Sequence, residues 1–202
     1  NQKDSLAQLG QIVTNLVDRF TAGTGPKQKL SREYEGEFYG ENPEIIINNV
    51  NGKIKVTTWE QDQFNLKVNF SINASDQEEA EKIYQNIFEY DITSNSLKVD
   101  IKKKSGTEAD LKLYVPKTKM YNLKLKNIKG KNIVENIVLK SGIIKAVNGK
   151  LKVVNFQAEK LDMETTNGTI KFSGEGGEIN IKTTNGKIQG ETGFYRDRKS
   201  VV

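Results

Sequence analysis

Lysine stands at alternate positions in several short stretches of this 202-residue chain: Lys53 and Lys55, Lys124 and Lys126, Lys150 and Lys152, with Lys171, Lys182 and Lys187 in similar settings. Successive side chains of a strand point to opposite faces, so each such pair shares one face while the apolar neighbours turn to the other. Where strands stack, these ammonium groups come into register at about 4.8 Å, and like charges directly opposite one another destabilise the pairing. The chemistry open to such a ladder is recognition of a polyanion: teichoic acid, anionic lipid headgroups or an acidic polysaccharide. Two readings stand side by side, a binding face and a solvated face whose lysines keep sheet edges from joining other chains.

Other residue types offer less. The chain has no His and no Cys, which removes thiol nucleophiles, disulfides, ordinary zinc sites and Ser-His-Asp triads. Glu33, Glu35, Glu37, Glu41, Glu175 and Glu178 could supply the two carboxylates of a glycosidase, but Glu33, Glu35 and Glu37 alternate as the solvated side of a strand does. Trp59, Phe38, Tyr39, Tyr84, Phe88 and Tyr90 fall in or beside apolar patterns, so most read as core rather than as a sugar-stacking platform. Gly-Glu-Gly-Gly at Gly174 to Gly177 lacks the Lys-Ser/Thr of a phosphate loop and reads as a turn. The expectation is a protein without catalytic residues, cofactor or metal. The alternative is a polysaccharide-active or carbohydrate-binding β-helix protein, because β-helix lyases work with Lys, Arg and calcium-bound carboxylates.

With 31 basic and 26 acidic residues, a net charge of +5 and a pI near 9.1, the surface is mixed rather than strongly basic, and no nucleic-acid partner is expected. No run of about 18 apolar residues would span a bilayer, and no signal peptide is visible. The chain begins at Asn1 and stops at Ser200-Val201-Val202, which reads as a piece of a longer protein.

Two kinds of element must position these residues. Leu6, Leu9, Ile12, Val13, Leu16, Val17 and Phe20 recur at helical spacing, so an amphipathic helix and linker are expected over 1–25, ended by Gly23, Gly25 and Pro26. Leu6, Leu9, Ile12, Val13, Leu16 and Phe20 would be its contact face in any self-association. From Leu30 the period becomes two. Phe64, Leu66, Val68, Phe70 and Ile72 alternate strictly with polar residues, and Leu97, Val99, Ile101 and Leu111, Leu113, Val115 form further inward sets. Ser75-Asp76-Gln77-Glu78 reads as a capping box that opens one short inserted helix, with Ser75 as N-cap.

Asn-Gly followed by an alternating strand occurs at Asn51-Gly52, Asn148-Gly149, Asn167-Gly168 and Asn185-Gly186, the last three 19 and 18 residues apart. Such a pair can close a type I′ hairpin, which would build a sandwich. Many short strands at near-constant spacing point instead to a β-solenoid, in which each rung buries its apolar side chains on the next. The expected fold is mainly β, a β-solenoid or β-helix-like domain over 26–202, divided into strands plus inserted helix at 26–116 and repeat rungs at 117–202.

Three features coincide here: Asn51-Gly52-Lys53-Ile54-Lys55-Val56-Thr57-Thr58-Trp59, the Leu111 to Pro116 strand before the repeats, and the Thr-Thr-Asn-Gly words at Thr165 and Thr183. Together they resemble the bacterial putative-adhesin β-strand-repeat family, over roughly Leu30 to Gly190. The resemblance implies a β-helix-like domain without known catalysis, placed at the bacterial cell envelope or surface; cytoplasmic placement is left open. Some such proteins, of the LiaX type, join a helical region to this domain and respond to antimicrobial peptides. The implied partners are an anionic envelope polymer, an anionic lipid or another envelope protein. Relatives often carry Asp after Asn-Gly, whereas Lys53, Lys150, Lys187 and Thr169 stand there in this chain, so no acidic or calcium-binding role is carried over.

Overall fold

The computed structural model describes residues 27–194. The expected helix over 1–25, and with it the contact face from Leu6 to Phe20, lies outside the described residues. None of the described helices is long and apolar enough to cross a membrane. The elements run β1 (Lys27–Glu37), β2 (Glu44–Asn51), β3 (Ile54–Trp59), β4 (Gln63–Asn73), α1 (Gln77–Ile87), β5 (Phe88–Thr93), β6 (Ser96–Ile101), β7 (Thr107–Pro116) and β8 (Tyr121–Phe194). All strands join one sheet in the order β1-β4-β7-β3-β8-β2-β6-β5. The chain is mainly β and solenoid-like.

The connection through Asn51-Gly52 shows why the winding is not a hairpin. β2 and β3 are consecutive but do not pair with each other. β2 runs parallel to β6 and to the first part of β8, while β3 runs parallel to β7 and to the next part of β8. A type I′ hairpin needs a positive φ at both central residues, and only Gly52 has one, at 117°. The corner therefore turns the chain from one face of the solenoid to the next, and strands meet their partners in neighbouring coils.

β8 repeats this corner. At about 3.3 Å per residue its 74 residues would stretch roughly 240 Å if straight; it winds instead. Gly130, Gly149, Gly168 and Gly186, spaced 19, 19 and 18 apart, stack on Gly52 so closely that a Cβ on each would overlap the carbonyl oxygen of the glycine one coil below. Side-chain ladders follow the same period. Asn167 Nδ2 donates to Asn148 Oδ1 at 2.7 Å, Asn185 Nδ2 to Asn167 Oδ1 at 3.0 Å, and Asn155 Nδ2 to Asn136 Oδ1 at 3.1 Å. Asn136 and Asn155 take up positive φ, which Asn tolerates better than most residues, and make a second corner.

The interior is apolar along each strand. Ile45, Ile47, Ile54, Val56, Leu123, Leu125, Leu151, Val153, Leu161, Met163 and Ile170 are all buried. A few polar side chains interrupt it, and they pin the glycine corners. Asn127 Nδ2 donates to the Gly52 carbonyl at 2.8 Å, Asn49 Nδ2 to the Ala109 carbonyl at 2.8 Å and Thr165 Oγ1 to the Gly149 carbonyl at 3.4 Å. Each of these residues stands three before its own corner glycine and reaches back one coil, which satisfies a carbonyl that the sharp turn would otherwise leave unpaired.

One end of the winding is covered. β4 pairs antiparallel with β7 and β1 with β4, while β5 pairs antiparallel with β6. α1 packs there through Ala80 and Ile87. Arg32, buried on β1, donates twice to the Glu81 carboxylate at 2.6 and 2.7 Å and lies 4.8 Å from the Tyr84 ring centre, and the Tyr34 and Tyr84 hydroxyls meet at 2.8 Å. The N-cap is Asp76 rather than the expected Ser75: Asp76 Oδ1 accepts from Glu79 N at 2.8 Å, and Glu79 reaches back to Ser75 N at 2.7 Å. The sequence Ser75-Asp76 and Glu78-Glu79 offers the box in two frames one residue apart, and the later one leaves Ala80 turned into the core.

Candidate anion-binding face

Position relative to the corner glycine sorts the lysines. The residues one and three places after it are Lys53 and Lys55 in the first coil, Lys131 and Ile133, Lys150 and Lys152, Thr169 and Lys171, and Lys187 and Gln189. All of them except Lys53 and Lys55 line one shallow cleft of about 430 Å³, together with Asn132 and Leu151. Lys53 and Lys55 continue the same face across the ladder, because Ile54 stands opposite Asn132 and Lys55 opposite Ile133. Beyond them Lys55 faces Lys112, and Lys112 faces Lys67. A row of ammonium groups thus runs along the solenoid axis, across the hydrogen-bonded strands.

Carboxylates answer only part of this charge. Glu135 accepts from Lys55 and from Lys152, each at 2.8 Å. The hydrogen bond from Lys152, then that from Lys55, outweighs partial burial and holds the Glu135 carboxyl below the usual range. Glu33 lies 3.1 Å from Lys67 and Asp110 4.0 Å from Lys53. For Glu33, burial works upward, yet hydrogen bonds from Asn65 and Lys67 leave it lowered. Among the described residues Lys131, Lys150, Lys171 and Lys187 have no carboxylate within 4.0 Å, and none lines their cleft.

The other three sequence-derived candidates stand elsewhere. Lys124 and Lys126 lie on the strand before the corner, opposite Ile46 and Asn48 of β2. Lys182, four residues before Gly186 as Lys126 is before Gly130, belongs to the same side, near Glu164. Lys126 and Lys182 have no carboxylate within 4.0 Å among the described residues, but acids and lysines interleave on that side. Lys124 pairs with Glu44, Lys145 with Glu164 and Lys160 with Glu178, each at 2.9 Å. The bonds from Lys145 and Lys160 hold Glu164 and Glu178 below the usual carboxylate range.

Of the nine lysines singled out by alternation, the structure brings Lys53, Lys55, Lys150, Lys152, Lys171 and Lys187 to one face and leaves Lys124, Lys126 and Lys182 on another. It adds Lys131, Lys112 and Lys67. Lys131 escaped notice because its corner reads Lys129-Gly130 rather than Asn-Gly; the signal was present in the 19-residue step from Gly130 to Gly149. Glu135, which clamps two of the lysines, carried no local mark. Among the described residues no group of three or more His, Cys, Asp or Glu side chains could hold a metal ion. Of the six aromatics, most of which read as core, Phe38 and Phe88 are buried and Tyr84 half-buried, Tyr39 and Tyr90 are exposed, and Trp59 is half-buried and stacks on Tyr114 at 5.1 Å between ring centres.

Comparison with known proteins bears on the fold. A search of curated proteins finds no match. Among solved structures, a putative cell adhesion protein from Clostridium sporogenes is similar with a TM-score of 0.54 and 12% identity, covering 82% of this chain and 100% of that one. A putative adhesin from Bacteroides fragilis covers 84% of this chain and 100% of its own at 12% identity, with a TM-score of 0.36. A putative lipid binding protein from Parabacteroides distasonis covers 85% and 97%, at 12% identity and a TM-score of 0.27. Residues 26–193 match the model of Toastrack DUF4097, in keeping with the bacterial putative-adhesin resemblance carried by Asn51 to Trp59 and the Asn-Gly words. This chain belongs to the Toastrack DUF4097 family.

Proposed function

We propose that this domain is a non-catalytic binding module of the bacterial cell envelope that holds a linear anionic polymer along its lysine face, in a setting of envelope stress or attack by antimicrobial peptides. The observation that carries the reading is the cleft of Lys131, Lys150, Lys171 and Lys187, four ammonium groups without a counter-charge in the described residues. Like charges brought together by a rigid backbone repel one another, and a polyanion laid along the axis relieves that repulsion while releasing its own counterions. The coil repeat of about 4.8 Å supports a polymer lying along the axis, across successive coils, rather than a single small anion. The glycine stacking makes the face rigid, so little order must be gained on binding.

Replacing Lys131, Lys150, Lys171 and Lys187 together with Gln tests this. The variant is expected to fold with unchanged circular dichroism and to bind inorganic polyphosphate or a sulfated glycan at least about tenfold more weakly at low salt, with a flatter salt dependence. Unchanged affinity removes the lysine face from the function. Preferential capture by anionic vesicles over free polymer would reassign the face to a membrane surface.

A further inference from the structure

We infer that the polymer held by the lysine face is an acidic glycan, and that one of its sugar rings stacks on Trp59 where Trp59 and Tyr114 flank the lysine row. The inference rests on the proposed polyanion-binding role and narrows the ligand class. β3 and β7 lie in register, Lys55 opposite Lys112 and Thr57 opposite Tyr114. Lys112 and Tyr114, like Thr57 and Trp59, are separated by two residues on one face, a step of about 7 Å along a strand. The aromatic pair therefore continues the face of Lys55 and Lys112, and the Lys112 ammonium sits 4.6 Å from the Tyr114 ring centre.

The two rings stack at 5.1 Å with planes 21° apart. Trp59 Nε1 donates to the Gln63 carbonyl at 2.7 Å, so the polar edge of the indole is used within the protein and what it presents outward is apolar ring. Phe64, Phe70 and Tyr121 are closed into the core, whereas Trp59 and Tyr114 stay half-buried on the charged side of the sheet. A flat apolar surface fixed by a stacked partner and a hydrogen bond is prepared to meet another flat apolar surface without loss of rotamer freedom. Polyphosphate has no such surface. A pyranose ring does, on its C–H face, and carboxylate or sulfate groups on neighbouring sugars would fall at the lysines beside it.

Trp59 is the only tryptophan, so its emission reports on this place alone. The intact chain is titrated at low salt with polygalacturonate, with a sulfated glycan and with inorganic polyphosphate, affinity being read separately by anisotropy of labelled polymer. All three are expected to bind. The glycans are expected to shift or quench Trp59 emission and polyphosphate to leave it unchanged; Trp59→Ala is expected to lose about tenfold in glycan affinity and less than about twofold for polyphosphate. Tyr114→Leu, which leaves the indole and its bond to Gln63 in place, guards against a folding defect in the first variant and is expected to lose glycan affinity by a smaller factor. If glycans bind with Trp59 emission unchanged, or both variants keep full glycan affinity, the platform is overturned while the lysine face stands. If none of the polymers binds, the polyanion reading itself falls.

Discussion

The strand before each corner glycine and the strand after it belong to the same repeat, yet they treat charge in opposite ways. Four places before the corner the coils read Asn48, Lys126, Lys145, Glu164 and Lys182, and Lys145 and Glu164 meet across one coil step. One place after it they read Lys53, Lys131, Lys150, Thr169 and Lys187, and no acid interrupts the column. Both columns present side chains at the same spacing from strand backbone. A solenoid can therefore hold a stack of like charges, and among the described residues the column after the corner does so without an acid while the column before it carries Glu164 between Lys145 and Lys182. If lysines served merely to keep edges from aggregating, the column before the corner shows that the same protection is available with an acid among the lysines.

The comparison depends on the stacked corners that set the two sides apart, so the largest effect is expected from breaking a corner. On Gly149→Ala the new Cβ would overlap the Gly130 carbonyl oxygen, a backbone atom that cannot swing away. The expected cost is at least about 2 kcal/mol, which in a domain of this size lowers the melting temperature by roughly 4–8 °C. Polyanion binding should weaken with it, because Lys150 follows that glycine directly. Calorimetry showing an unchanged melting temperature would mean that the coils do not stack as described.

A smaller and more selective effect separates the two sides. Lys124→Gln, Lys126→Gln and Lys182→Gln made together remove three charges from the side where acids and lysines interleave. They are expected to change polyanion affinity by less than about twofold, against the tenfold loss expected from the four lysines of the cleft. Equal losses from the two sets would show that only net charge matters, and the distinction between the sides would lose its functional meaning.

Much of this arrangement can be read in the residues themselves. The inward sets Leu111, Leu113, Val115 and Leu123, Leu125 follow from alternation, and the coil length follows from the spacing of the Asn-Gly words. What alternation cannot supply is which strands adjoin. Asn51-Gly52 serves a hairpin or a corner equally well, and the outcome rests on the φ of Asn51, whose partner in the ladder is Lys129 of β8, far along the chain. For the same reason Lys55 and Lys152 read locally as equivalent to Lys150, although both are held by Glu135, 80 and 17 residues away. Trp59 falls in or beside an apolar pattern, as the mostly core aromatics do; that its ring turns out to stack on Tyr114 depends on the pairing of β3 with β7, in which Trp59 stands opposite Pro116 and Thr57 opposite Tyr114. Counting from the corner glycine, rather than from the lysine pairs, would have separated Lys126 and Lys182 from Lys150 and Lys187 on sequence alone.

The finest test lies in Glu135, which among the described residues is the one acid that accepts from two lysines of the binding side. Its carboxyl is held below the ordinary range by Lys152 and Lys55, so its stabilising contribution is present above the unfolded-state value near 4.3 and is lost as the pH falls through the lower folded-state value. Glu135→Gln removes that contribution at neutral pH, an expected loss between about 0.2 and 1 kcal/mol, and frees both lysines. Affinity for a sulfated glycan, which keeps its charge in acid, should rise about two- to fourfold at pH 7. In the unaltered protein the same gain should appear only on acidification below about pH 4.3. Glu33 and Asp110 lie beside lysines of this side as well, so the informative quantity is the difference between the two proteins, which should shrink toward zero as Glu135 becomes protonated. A variant that binds more weakly at pH 7 would mean that Glu135 organises Lys55 and Lys152 for the ligand rather than withholding them, and the uncompensated lysines alone would not explain binding.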